Sequence, residues 1–409
     1  MTAVQITVNG TPCRVHRNAV CRYVIWSEKA GGNAARTAGQ KKADGAAPPP
    51  DTRAEVRLTA PVDSALASAL AGAVLRPLSR GVLPEILGNR LCFSAPVPSK
   101  WSLEFPGSQE PPVFFFLYAA EPKPDPGEGV RVFAPGEHHV DELVLHSGET
   151  LYLAEGAVLH AHLVAVGERN VTVCGRGILD IDGEYSGKGR RMTHLYDCSG
   201  LTFRDITMTG SYGWSLVFTG CRDVTVDGVN ILTWRCTGDG IDVVGSSDVT
   251  VRGCFIRTAD DCIAIKATDY RGEAGLRDVR RVSVSGCVLW NAIPGNGIEI
   301  GFETRCDEIA DILFSDIDLI HCEHEGWQSG ASIAIHNGDR ARIHDVVYRN
   351  IRIEDSADKL FDFKVLCSNY SKDEKRGSIG QILVENVAVI SGAFPPSILS
   401  GYAPEDALV

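Results

Sequence analysis

Two short acidic stretches carry the residues that could do chemistry in this chain. Thr237-Gly238-Asp239-Gly240-Ile241-Asp242-Val243-Val244 is followed one segment later by Ala259-Asp260-Asp261-Cys262-Ile263-Ala264-Ile265-Lys266. Asp239 and Asp260 are 21 residues apart, close to one turn of a β-solenoid, so the two stretches can lie on neighbouring rungs. That places Asp239, Asp260 and Asp261 together as the candidate catalytic residues. Crowded carboxylates repel, so one of them should keep its proton well above the range of a free Asp. A protonated acid beside ionised carboxylates is the equipment that hydrolysis of a glycosidic bond needs, and it requires no metal and no other cofactor. Asp also caps turns, and Asp248, Asp311 and Asp345 are read as corner residues of that kind.

The segments that follow the acids alternate with period two, which fixes the side to which each residue points. With Ile241/Val243, Ile263/Ile265, Ile298/Ile300, Ile333/Ile335 and Phe361/Phe363 turned to a core, the opposite side carries Asp242, Lys266, Glu299, Ala334 with His336, and Asp362 with Lys364. Stacked on adjacent rungs, these would line an outer groove suited to an extended polar chain. Asp242, Lys266, Asn296, Glu299, His336, Asp362 and Lys364 are therefore the candidate substrate-binding residues. The plainer reading of such a strip is a solvated charged face.

A repeat positions these elements. Asn170-Val171-Thr172-Val173, Gly200-Leu201-Thr202-Phe203, Asp223-Val224-Thr225-Val226, Asp248-Val249-Thr250-Val251, Arg281-Val282-Ser283-Val284, Asp311-Ile312-Leu313-Phe314, Asp345-Val346-Val347-Tyr348 and Gln381-Ile382-Leu383-Val384 align, with starts 30, 23, 25, 33, 30, 34 and 36 residues apart. Each is followed by a second alternating segment, such as Val229-Asn230-Ile231-Leu232. Short strands at that period, with Gly, Asp or Asn at the corners, describe an all-β parallel β-helix. A propeller would need a longer period and hairpin turns. The thirteen Cys recur singly inside apolar strands, as Cys174, Cys198, Cys221, Cys254, Cys287 and Cys322 do, and read as buried structural thiols.

Before the repeat, residues 1–121 hold short strands broken by Pro and Gly, among them Val56-Arg57-Leu58 and Val113-Phe114-Phe115-Phe116-Leu117-Tyr118, which suggest a small β-sandwich-like domain. Within it, residues 30–51 are rich in Gly, Ala, Lys and Pro and read as a mobile loop. Residues 122–128 form a stiff Pro-rich linker, and 129–409 form the β-helix. A net charge of -12 argues against binding nucleic acid, and no stretch reaches the ~18 apolar residues of a membrane span. With no visible signal peptide and no CxxC pair, a reducing cytoplasm is expected. Oligomeric state is not legible.

Asp239, then Asp260-Asp261 after 21 residues, then Gly295-Asn296-Gly297-Ile298-Glu299-Ile300-Gly301, resembles the family 28 glycoside hydrolases, the polygalacturonase group. Their motifs run Asn-Thr-Asp, Asp-Asp, Gly-His-Gly and Arg-Ile-Lys on a right-handed parallel β-helix. The resemblance covers roughly 130–390, and the N-terminal region resembles the β domain of the family 49 dextranases and isopullulanases. It implies an inverting hydrolase with Asp260 as general acid and Asp239 and Asp261 holding the attacking water. Two motifs depart: Asn296 stands where the family has His, and Ala334-Ile335-His336 where it has Arg-Ile-Lys. An Arg fork for a sugar carboxylate is thereby lost, which points to a neutral or only partly uronic glycan. Lys266 is the residue that would speak for a uronate. The insertion 268–280, with Asp269, Tyr270, Arg271 and Glu273, is the candidate wall for exo action on short oligosaccharides. A uronate lyase or epimerase, or a carbohydrate-binding solenoid without catalysis, are the alternatives on the same fold. The second would call for aromatic platforms, whereas Trp214, Trp234, Trp290 and Trp327 are scattered along the sequence.

Overall fold

In this computed structural model the described residues are 4–29, 52–121, 123–125, 127–181, 191–270, 272, 275–323 and 329–403. The expected loop at 30–51, parts of the linker, Arg271, Glu273 and Trp327 lie outside them. Two compact units divide the chain, Met1–Lys123 and Pro124–Val409.

In the first unit, alternation decides which side chains turn inward. Arg53–Thr59 exposes Arg53, Glu55 and Arg57 and buries Ala54, Val56 and Leu58. Two five-stranded sheets contribute to one apolar core: Val56, Leu58 and Phe93 come from one, Val24, Trp101 and Phe115 from the other.

Among the described residues of the second unit, 26 strands form one continuous parallel system in which a strand generally pairs with the strand three places on, so the chain winds as a coil with three parallel faces. The repeat read from the sequence is the register of one face: Thr172, Thr202, Thr225, Thr250, Ser283, Leu313, Val347 and Leu383 are successive partners. The residue that opens each repeat unit, from Asn170 and Gly200 to Asp345 and Gln381, has a positive φ of 53 to 68°. Asp, Asn and Gly fill most of these corners because glycine has no Cβ and the short Asp and Asn side chains tolerate the left-handed region. Inside, Val, Ile, Leu and Phe stack rung upon rung, and Cys174, Cys198, Cys221, Cys254, Cys287 and Cys322 are buried. A parallel β-helix results, an all-β coil whose corners repeat at fixed places.

The corner conformation yields a direct test. Asp311 is exposed at φ 58°, so Asp311→Val should lose about 1–2 kcal/mol relative to Asp311→Gly in urea unfolding, because a β-branched side chain clashes there. Equal stability of the two variants would contradict the left-handed corner.

Candidate active site

The acids sit at the corner that precedes one face of the coil, and rung-to-rung hydrogen bonds stack these corners. Gly240 N donates to Asp261 O at 2.9 Å, Cys262 N to Asn296 O at 3.0 Å and Gly297 N to Ala331 O at 2.9 Å. The strand beyond pairs Ile241 with Ile263, Ile298, Ile333 and Phe361 in turn. Gly295 is what lets its turn lie against the acids. At φ 99°, a Cβ there would fall 2.4 Å from the Asp260 carbonyl carbon, so a larger residue would push the turn away.

Asp239, Asp242 and Asp261 are buried and Asp260 is partly so. Lys266 binds them: its Nζ lies 2.6 Å from Asp239 Oδ2, 3.1 Å from Asp242 Oδ1 and 4.0 Å from Asp261 Oδ2. Burial works against that ammonium, yet Asp239, Asp242, Glu303 and Asp261 outweigh it and hold its pKa well above the usual lysine value. Burial pushes Asp260 up to about 10, and the charges of Asp239 and Asp261 add to the effect. Asp260 therefore keeps its proton at neutral pH. Burial also raises Asp242 well above the usual carboxylate range, with Asp239 adding to it. Asp261 is raised by burial and by Asp239, while Asn296 opposes the rise: the Asn296 backbone N and Nδ2 both donate to Asp261 Oδ1, at 2.9 and 3.1 Å. Four acids thus share one cation, a set that cannot be fully ionised.

A cavity of about 230 Å³ opens above Asp239, Asp260 and Asp261. Lys266, Asn296 and Glu303 share its floor and sides with an aromatic wall of Trp214, Tyr270, Phe302 and Tyr370. Trp214 is held by cations: Lys266 Nζ lies 3.9 Å and Arg191 Cζ 3.8 Å from its ring centroid. The Tyr270 hydroxyl donates to Glu303, which fastens the segment after Lys266 across the cavity.

Part of the expected groove is instead interior. Asp242, Glu299, His336 and Asp362 are fully buried, Lys364 is 6% exposed, and none of the five lines the cavity. The alternation did give their direction, away from the apolar core, but side chains on that outer face are covered and pair with one another. His336 Nδ1 lies 2.9 Å from Glu299 Oε2, its Nε2 lies 3.3 Å from Asp362 Oδ2, and Lys364 Nζ donates to Asp362 at 2.8 Å. Burial works against the charge on His336, but Glu299 and Asp362 prevail and raise it to about 9. Lys266 and Asn296 do line the cavity, though Lys266 has its charge already engaged by the acids. His336 reaches the acidic corner through Glu299 and Asn296, whose Nδ2 donates to Glu299 Oε2 at 3.0 Å.

Sequence reasoning missed Glu303, Phe302 and Tyr370, and it dismissed Trp214 as isolated. Glu303 shares the outward parity of Glu299 and Gly301, so extending the alternation by four residues would have found it. Trp214 and Tyr370 arrive on corner segments, whose reach no period predicts.

The sequence profile of Glycosyl hydrolases family 28 matches residues 163–389. A probable polygalacturonase from Arabidopsis thaliana is 27% identical over 189 residues, 43% of this chain and 38% of that protein. An exopolygalacturonase from Zea mays is 24% identical over 216 residues, 49% of each. The chain spans about half or less of the length of these curated relatives. Among solved structures, Dex49A from Penicillium minioluteum superposes with TM-score 0.62 at 12% identity, covering 100% of this chain and 93% of that one. The family 28 exopolygalacturonase of Yersinia enterocolitica gives 0.53 at 12% identity, covering 85% and 86%. At such identities the structural likeness speaks to the fold alone.

The raised pKa of His336 has a thermodynamic signature. Because the folded value of about 9 exceeds the ordinary 6.5, its contribution is complete below about pH 6.5 and is lost as pH rises through 9. Unfolding free energy should therefore fall over that window by up to about 3 kcal/mol more in the parent than in His336→Gln. Parallel pH profiles of stability for the two proteins would contradict the buried ion pair.

Proposed function

Because the chain belongs to glycosyl hydrolase family 28, we propose that it hydrolyses glycosidic bonds of a plant- or microbe-derived oligo- or polysaccharide with inversion at the anomeric carbon. The observation that carries this reading is the crowded aspartate cluster and its unequal hydrogen bonding. Burial raises all three acids and holds Asp260 protonated, while Lys266 donates to Asp239 and Asn296 to Asp261, contacts that oppose the rise in those two. Asp260 donates its proton to the departing glycosidic oxygen as that bond to the anomeric carbon breaks. Water attacks the same carbon from the opposite side and gives its proton to the Asp239/Asp261 pair, and exchange with solvent restores Asp260.

The sugar at the cleaved position is read as neutral. Among the described residues that line the cavity Lys266 is the single cation, and Asp239 and Asp242 already balance it. Glu303 adds a further carboxylate to the wall, which would repel a uronate. Tyr270, clamped to Glu303 on the cavity wall, is the residue on which we rest the exo reading. We also read the coil as right-handed, as parallel crossovers almost always are, and the N-terminal unit as a small β-sandwich built on its shared core. The nine buried cysteines among thirteen suit a reducing compartment.

Three measurements test the proposal. Asp260→Asn should lower kcat by several orders of magnitude with binding retained, and full activity in that variant would leave the mechanism without its acid. NMR of the first-formed anomer should show inversion; net retention would sink the assignment of Asp239 and Asp261. Reducing-end release from a panel of oligosaccharides should be faster on neutral than on galacturonic chains, and the reverse ranking would overturn the reading of the sugar.

A further inference from the structure

We propose that His336 and Glu299 are positioning residues that act on Asp261 through Asn296, locking the Asn296 amide so that Asp261 Oδ1 always meets two N–H donors. The proposal rests on the reading of Asp261 as part of the water-activating pair.

Asn296 has every hydrogen-bonding group engaged. Its Oδ1 accepts from Ala331 N at 3.0 Å, and its Nδ2 donates at once to Asp261 Oδ1 at 3.1 Å and to Glu299 Oε2 at 3.0 Å. Both amide protons are thus used, one on the catalytic side and one on the buried side. A flipped amide would turn its oxygen toward Asp261 and Glu299 and its NH2 toward a backbone N–H, so every contact would become repulsive. The lock holds as long as Glu299 is an acceptor, and His336 sees to that: Nδ1 lies 2.9 and 3.1 Å from the two Glu299 oxygens. Gly301 makes room for this contact, since a Cβ there would fall 2.7 Å from Glu299 Oε1 and 2.2 Å from His336 O.

The imidazole is fixed from its other sides. Asp362 Oδ2 faces Nε2 at 3.3 Å, with Lys364 and Lys359 behind that carboxylate at 2.8 and 3.7 Å. The ring of Phe302, itself part of the cavity wall, stacks on His336 with centroids 4.4 Å apart and planes 5° from parallel. Around Asp261 the charged and titratable neighbours are Asp239, Asp260, Cys262, Lys266 and Glu299, and Glu299 faces Tyr348 as well. Of these, Glu299 is the one whose charge is set from the far side of the wall. His336 therefore screens Glu299 from Asp261, and the two residues should move the proton affinity of Asp261 in opposite senses.

A substrate-free titration decides the matter. In protein labelled with 13C at the Asp carboxyls, with Asp261→Asn identifying the resonance, the Asp261 midpoint should rise by about one pH unit in His336→Gln, where Glu299 loses its counter-charge. It should fall by about as much in Glu299→Gln, where a negative neighbour is removed. Circular dichroism melting establishes that each variant is folded; if His336→Gln is not, Asn296→Ala should raise the midpoint by removing a donor. Unmoved midpoints, or shifts of the same sign in the two charge variants, would overturn the proposal. With an active glycan in hand, the acidic limb of the kcat/KM profile should move with those midpoints while KM stays within about twofold of the parent. Full activity in Asp260→Asn would count against the catalytic reading and leave the titrations standing, so the two failures are told apart.

Discussion

The acidic corner depends on one buried ammonium. Lys266 is 4% exposed and lies within 4.0 Å of Asp239, Asp242 and Asp261. Carboxylates taken out of water at this density would all protonate without a counter-charge. Removing one partner of such a buried set typically costs about 3–5 kcal/mol, because the remaining charges are left uncompensated. The face of Trp214, 3.9 Å from the ammonium, closes the last side of the cation and ties the cavity wall to the acids below it.

The coil supplies the precision that this electrostatic arrangement demands. Parallel rungs repeat every ~4.8 Å, so residues at equivalent corners are held at nearly constant separation by backbone hydrogen bonds. Asp239, Asp261 and Asn296 occupy three successive corners, and their spacing is inherited from Gly240, Cys262 and Gly297 N–H groups bonded to the next rung. Side chains need only short rotamers to meet. This is why Asp serves here, with one methylene to order, where a longer acid would lose more side-chain freedom.

Much of this was legible in the chain before any coordinates. The eight aligned repeats reproduce the strand register residue for residue, because an apolar residue facing a coil core on one rung must face it on the next. The direction of Asp242, Glu299, His336 and Asp362 was legible for the same reason. Their burial was not, since period two says which way a side chain points and nothing about what covers it. Lys266 shows the same limit: it was read as a free charge for a sugar, yet its ammonium lies 2.6 Å from Asp239, on a rung 27 residues earlier. Trp214 and Tyr370 lie on corner segments whose conformation depends on contacts across rungs.

Strand pairing pauses after Ala267 and resumes in register from Val279, with Val249 opposite Val282 and Val251 opposite Val284. Length at that corner is thus uncoupled from the winding. Selection can lengthen, shorten or exchange residues there without breaking the strand pairing on either side. The coil behaves as a chassis with an exchangeable corner, a place where chain length can vary while the rungs on either side keep their pairing.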